Sequence, residues 1–269
     1  MKYKRMLQLE GGVNMREMGG YPTSDGRVVK WQKLLRSGNM GQLTPKDLRF
    51  LDDYGLRYDV DLRSDSESEF YKDRYPKDAT YINLSIYPFA NNDLFSNLGI
   101  VASTKLKYAQ LDIVDHTYAQ MMADPHAQDQ FRKLFSYLLE NDKDKQSLVF
   151  HCAAGKDRTG AAAFLILSAL GVQEKYILQD YLLTNLVFQN RSSAEINGLL
   201  TNSNRDELAN ELNSYLAVSG SNFKTLKRTC EAISGSMDKY LEQKMGLDAD
   251  KRARLQEIYL ETGRKNAMC

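Results

Sequence analysis

The chain has 269 residues, 42% apolar and 26% charged, which suits a globular fold and excludes collagen-like, mucin-like and wholly disordered chains. Lys and Arg number 36 against 35 Asp and Glu, so a net charge of +1 supplies no whole-protein field to attract nucleic acid.

Residues 1–40 carry turn signals at Gly11-Gly12, Gly19-Gly20-Tyr21-Pro22 and Asp25-Gly26, and read as strands and turns. A helix is predicted from Thr44, a capping residue followed by Pro45 and Asp47, to about Tyr54, with Gly55 as its stop. Tyr58, Val60 and Leu62 alternate with Asp59 and Asp61, which predicts a strand over Arg57–Leu62. Ser64 with Glu67 is a capping box, so that strand ends above a new helix start. Ile82, Leu84 and Ile86 predict another strand, and Asn91-Asn92-Asp93 turns the rest of 81–100 into loop. Residues 105–140 read as two helices broken at Asp124-Pro125. Ser147–Phe150 is a short apolar strand, and 159–170 an almost uniformly apolar helix that must be buried and that Gly171 ends. From Glu174 on the pattern is helix and loop, closing on a helix over 249–260 capped by Asp248. The polar stretch 190–207 is the candidate for a mobile loop or lid hinge. Strands alternating with helices, then helices alone, predict one α/β domain over 1–269 with a helical C-terminal part.

The longest apolar run, Ala161–Val172, is too short to span a bilayer. The N-terminus lacks the apolar core of a signal peptide, so the expected location is the cytoplasm without a stable membrane anchor, export by another route being left open. Cys152, Cys230 and Cys269 have no disulfide or metal-ligand spacing, and His116, His126 and His151 form no HExxH pattern, so neither zinc nor any other cofactor is expected.

The informative segment is His151-Cys152-Ala153-Ala154-Gly155-Lys156-Asp157-Arg158-Thr159-Gly160. It joins an apolar strand to a buried helix, the arrangement in which backbone N–H groups and a helix N-terminus hold a tetrahedral anion. Ala153, Ala154, Gly155, Lys156, Arg158 and Thr159 are the candidate phosphate-binding residues. The same field favours a thiolate at Cys152, since cysteines so placed have pKa values lowered to ~3.5–7.5. Arg158 offers a planar fork for two phosphate oxygens. Gly155 permits a backbone angle other residues resist, and the Thr159 hydroxyl can donate to the sulfur. A thiolate beside a held phosphate predicts in-line attack and a cysteinyl-phosphate that water hydrolyses. His151, adjacent to Cys152, is expected to brace the loop rather than take its proton. Asp61 and Arg63, at a strand C-terminus, are expected beside the pocket as further braces.

The string resembles the signature loop of cysteine-dependent protein-tyrosine phosphatases, and more narrowly the bacterial and fungal tyrosine-phosphatase-like family with HCxAGKDRTG. Asn14-Met15-Arg16-Glu17-Met18-Gly19-Gly20-Tyr21 resembles that family's N-F-R-D-x-G-G-Y, with Met15 in place of Phe and Glu17 in place of Asp. Leu35-Arg36-Ser37-Gly38, Asp61-Leu62-Arg63-Ser64, Asp180-Tyr181-Leu182-Leu183-Thr184-Asn185 and Gly235-Ser236-Met237-Asp238-Lys239-Tyr240-Leu241 resemble further blocks, so the likeness runs from about residue 12 to 260. It implies a cysteine-dependent phosphatase fold, with a mostly parallel central sheet flanked by helices and a helical lid. It implies no metal, and as partners a phosphoprotein or phosphoinositide substrate and a phosphate ion in the loop. Lys156 either meets extra phosphates of a lipid or points to solvent. The proton donor is expected to be Asp157, which matches K-D-R, with Asp93 on its loop as the alternative. Two other readings are a catalytically weak phosphoprotein- or phosphoinositide-binding module and rhodanese-like sulfur or arsenate chemistry.

Overall fold

The computed structural model describes residues 3–106, 111–189, 192–202 and 218–263. Its centre is a five-stranded sheet in the order β1 (Arg16–Glu17), β3 (Leu34–Ser37), β6 (Ser147–His151), β4 (Leu56–Asp61), β5 (Thr80–Asn83). The last four run parallel, and β1 pairs antiparallel with β3 at the edge. β2 (Arg27–Val29) pairs with β7 (Leu260–Thr262) in a separate two-stranded ribbon. This is the predicted α/β class with a mostly parallel sheet.

Parallel strands covered on both faces need apolar side chains on both, and the strand period of two supplies them. In β6, Leu148 and Phe150 face the larger apolar cluster, which includes α6 (Asp157–Ala169). Val149 faces the other way, into a smaller cluster with Leu35, Leu51 and Leu56 under α1 (Pro45–Asp53). Register aligns the C-terminal ends: Ser37 and Asp61 both stand beside His151, and Asn83 beside Asp61. The loop after β6 emerges there.

The caps match expectation. Thr44 and Asp47 close a capping box on α1, and Ser64 and Glu67 close one on α2 (Asp65–Phe70). Asp124 separates α4 (Ile113–Ala123) from α5 (Pro125–Glu140) and caps the latter. α7 (Glu174–Phe188) lies against α6, and α8 (Ser193–Asn202), α9 (Gly220–Ser234), α10 (Met237–Gln243) and α11 (Ala249–Tyr259) follow.

Three expectations are corrected. The stretch after Asp93 is α3 (Leu94–Leu106), turned at Gly99 where φ is 71°, rather than loop. Of the expected helix from 105, residues 105 and 106 close α3, 107–110 lie outside the described residues, and the next helix begins at Ile113. The chain after Tyr259 turns into β7, because the last apolar positions find an open strand edge at β2 rather than another helical turn. Of the predicted lid hinge, 192–202 holds α8 and the segment before it, while 190, 191 and 203–207 lie outside the described residues. No helix among the described residues is long and apolar enough to cross a membrane.

Candidate active site

The loop from Cys152 to Arg158 is held from outside by its carbonyls. Asn39 N–H donates to Ala153 O at 2.9 Å. Asn14 Nδ2 donates to Ala154 O at 3.2 Å and to Gly155 O at 2.9 Å, and Arg36 Nη2 to Gly155 O at 2.9 Å. Carbonyls tied outward leave the alternating N–H groups for the loop's concave side, a geometry able to hold an anion. Gly155 has φ 67°, and a Cβ there would stand 2.5 Å from Ser37 O, so this position needs glycine on two counts.

The donors are themselves fixed by Asp180 on α7. Its carboxylate pairs with Arg36 Nη1 at 2.6 Å and Arg16 Nε at 3.1 Å, and all three side chains are buried. Burial pushes Asp180 up, but Arg16 and Arg36 outweigh it and hold the carboxyl at about 2. Asp180, Arg16 and Arg36 all stand in the segments quoted above for their resemblance. Their common place is this buried triad.

Cys152 is 3% exposed. Burial raises its thiol, while the Arg158 charge, the Thr159 hydroxyl and the N–H groups of Thr159 and Lys156 bring it below its ordinary value. The Thr159 hydroxyl is buried without a nitrogen or oxygen partner among the described residues, which leaves it to the sulfur. Arg158 is gripped by Glu67 through both terminal nitrogens, Nη1 to Oε2 at 2.5 Å and Nη2 to Oε1 at 2.8 Å. Glu67 also accepts from Ser64 N at 2.9 Å, so the α2 capping box fixes the plane of the guanidinium. The Arg158 contact, partly opposed by burial, holds Glu67 at about 2. The Tyr87 ring packs on Arg158, with the guanidinium carbon 4.8 Å from its centroid.

His151 lies beneath Cys152, fully buried. Its Nε2 stands 3.1 Å from Asp59 Oδ1, 3.2 Å from Asp73 Oδ2 and 3.9 Å from Asp61 Oδ1. Burial lowers the imidazole's pKa, but the three carboxylates raise it well above its ordinary value. Asp59 is pushed up by burial against the pull of His151. Arg63 closes the group, with Nη2 at 2.6 Å from Asp61 Oδ2 and 2.5 Å from Asp73 Oδ2. Burial raises Asp61, and Arg63 and His151 return it below its usual value. Asp59, Asp73 and His151 bring their ligating atoms within 4.8 Å of one another, the one cluster with a metal-like donor set among the described residues. Arg63 already supplies a cation to the same Asp73 oxygen, so the cluster carries positive charge of its own beside these carboxylates.

Asp157 starts α6 beside Arg158. Its Oδ1 accepts from the Tyr118 hydroxyl, whose oxygen accepts from Tyr181 at 2.7 Å. Its Oδ2 stands 3.6 Å from Lys156 Nζ. Asp93 lies at the start of α3, where its Oδ2 accepts from Ser96 Oγ at 2.6 Å. Sequence reasoning missed Glu67 as a partner of Arg158, and missed Tyr87, Tyr118, Asp59 and Asp73. Glu67 carried a signal, but its capping role explained it without remainder.

A model of the tyrosine phosphatase family matches residues 7–261. A "putative tyrosine-protein phosphatase" of Cupriavidus necator is 30% identical over 251 residues, covering 92% of this chain and 85% of that protein. A "tyrosine-protein phosphatase" of Nostoc commune is 28% identical over 162 residues, 60% of this chain and 51% of its own length.

Proposed function

Because the chain belongs to the tyrosine phosphatase family, we propose that it hydrolyses phosphate monoesters through a cysteinyl-phosphate intermediate. The observation that carries this reading is the lowered Cys152 thiol set in a loop whose Ala153, Ala154 and Gly155 carbonyls are engaged from outside. Phosphate sits on the inward N–H groups and on the Arg158 N–H groups that Glu67 leaves free. Cys152 Sγ attacks phosphorus in line, the S–P bond forms as the ester P–O bond breaks, and Asp157 gives its proton to the leaving oxygen. Water then attacks phosphorus and gives a proton back to Asp157, the S–P bond breaks, and phosphate leaves. Thr159 donates to the sulfur as it departs.

Phosphotyrosine is the first substrate class: the aromatic Tyr87 beside Arg158 suits an aryl ester. Phosphoserine, phosphothreonine and phosphoinositides are the wider range. For a lipid with further phosphates, Lys156 would leave Asp157 and turn to the extra charge. The binding-module reading has no use for a lowered thiol, which favours the enzyme.

Hydrolysis of p-nitrophenyl phosphate by the wild-type chain and its loss in Cys152→Ser, with phosphate binding kept, is the expected result. Equal activity in that variant would overturn the covalent route. A panel of phosphopeptides and phosphoinositides ranks the substrates. The acid is assigned by leaving group: Asp157→Asn should slow phenyl phosphate far more than p-nitrophenyl phosphate, because nitrophenolate departs without a proton. If Asp93→Asn shows that selectivity instead, the acid is Asp93.

A further inference from the structure

We propose that Tyr118, itself aligned by Tyr181, is a positioning residue that fixes Asp157 for proton delivery to the leaving oxygen; the inference rests on the reading of Asp157 as the acid. A carboxyl on a one-carbon stem rotates freely, and its two oxygens are equivalent until something distinguishes them. Here Oδ1 accepts from the Tyr118 hydroxyl. An oxygen already accepting a hydrogen bond is the poorer seat for the acid's own proton, so the Tyr118 contact distinguishes Oδ2 as the oxygen that delivers it.

The direction of the chain is set by Tyr181. A hydroxyl has one proton, so Tyr118 can spend it on Asp157 only if it does not donate to Tyr181. Tyr181 donates into the Tyr118 oxygen at 2.7 Å, which completes the order Tyr181 to Tyr118 to Asp157. Both tyrosines are buried, 1% and 2% exposed, and burial pushes both hydroxyls up, so both remain donors throughout the working pH range. Their rings meet edge to face with centroids 6.3 Å apart. Tyr181 reaches this place because residue 160 is glycine: a Cβ there would stand 2.8 Å from Tyr181 Cε2. The last residue of the sequence motif thereby acquires a function, as the gap that admits the aligning tyrosine to the first turn of α6.

The test is a double-mutant cycle read on two esters. General acids contribute ~10²–10⁴-fold, so Asp157→Asn should slow phenyl phosphate by at least about 100-fold. Tyr118→Phe, which removes one oxygen and keeps the ring, should slow phenyl phosphate about tenfold and p-nitrophenyl phosphate much less. In the Asp157→Asn background, Tyr118→Phe should add less than about twofold, because the group it positions is gone. Tyr181→Phe should reproduce the selective loss more weakly, and serves alone if Tyr118→Phe does not fold. Equal slowing of both esters by Tyr118→Phe, or its full factor persisting in the Asp157→Asn background, would make the tyrosine merely structural and overturn the proposal. No effect of Tyr181→Phe would overturn the aligned chain. If Asp157→Asn shows no ester selectivity, the acid assignment itself fails and the proposal with it, an outcome the single variant identifies separately.

Discussion

Two buried ionic groups flank the Cys152–Arg158 loop, and they are built with opposite signs. On the β3 side, Arg16 and Arg36 share Asp180, one cation in excess. On the β4 side, Asp59, Asp61 and Asp73 surround His151 and Arg63, one formal anion in excess. The difference follows from what each must present to the loop. The β3 side reaches the loop carbonyls directly with Arg36 and Asn14, so it needs donors in hand. The β4 side acts through His151, whose Nδ1 stands 3.5 Å from Cys152 O, and it needs carboxylates to keep that imidazole charged. Opposite compositions thus deliver the same thing, positive charge and donors aimed at backbone oxygens.

The sharpest way to break this comparison is Asp180→Asn. It leaves two buried guanidinium groups without their counter-charge, and truncating a buried pair costs about 3–5 kcal/mol. Urea unfolding should show a loss of that size, and a loss under about 1 kcal/mol would mean that the arginines are neutralised otherwise. Next is Gly155→Ala, where positive φ and the close approach of Ser37 O combine for about 2–3 kcal/mol and displace the carbonyl that Arg36 holds. Its signature is a fall in kcat/KM for p-nitrophenyl phosphate together with a lower melting temperature; unchanged kcat/KM would detach loop shape from catalysis.

On the acidic side the comparison is sharpened by pH. A histidine whose folded pKa is raised adds stability that is complete below its unfolded value of about 6.5 and is lost as pH rises through the folded value. Asp59→Asn removes the largest upward pull on His151, so that loss should begin nearer neutrality than in the wild type. Melting temperatures between about pH 6 and 10 measure it, and superimposable curves would show that Asp59 does not set the charge. The smallest expected effect on stability is that of Glu67→Gln. Glu67 is part exposed, so its pairing with Arg158 adds at most about 1 kcal/mol. That contribution is present above the ordinary Glu value and fades as pH falls from about 4.5 toward 2. The loss should show instead in KM, because the guanidinium plane is no longer fixed.

What the sequence made legible was local. Thr44, Ser64 and Asp124 announce helix starts because a cap and its partner lie within three residues. The loop is legible because strand, nest and helix are contiguous. The Asp61–Arg63 pair, two residues apart at a strand end, is of the same kind. Glu67 and Arg158 are 91 residues apart, and Tyr118 and Asp157 39 apart, and no periodicity links either pair. β7 escaped because a strand that pairs with an early ribbon has no signal of its own beyond three residues.

The outward ties of the loop carry a consequence for how the chain assembles. Asn14 meets Gly155 across 141 residues, Asn197 meets Met6 across 191, and β2 zips to β7 from near opposite ends of the described chain. Closing such long spans costs entropy before any contact repays it, and folds rich in them form slowly. On a growing chain, Cys152 emerges well before Asp180, so the thiol is made before the triad that orders its loop can exist. The groups that tie the loop, on Asn14, Arg36 and Asn39, are made before it, whereas the carboxylate that fixes Arg16 and Arg36 follows only with α7.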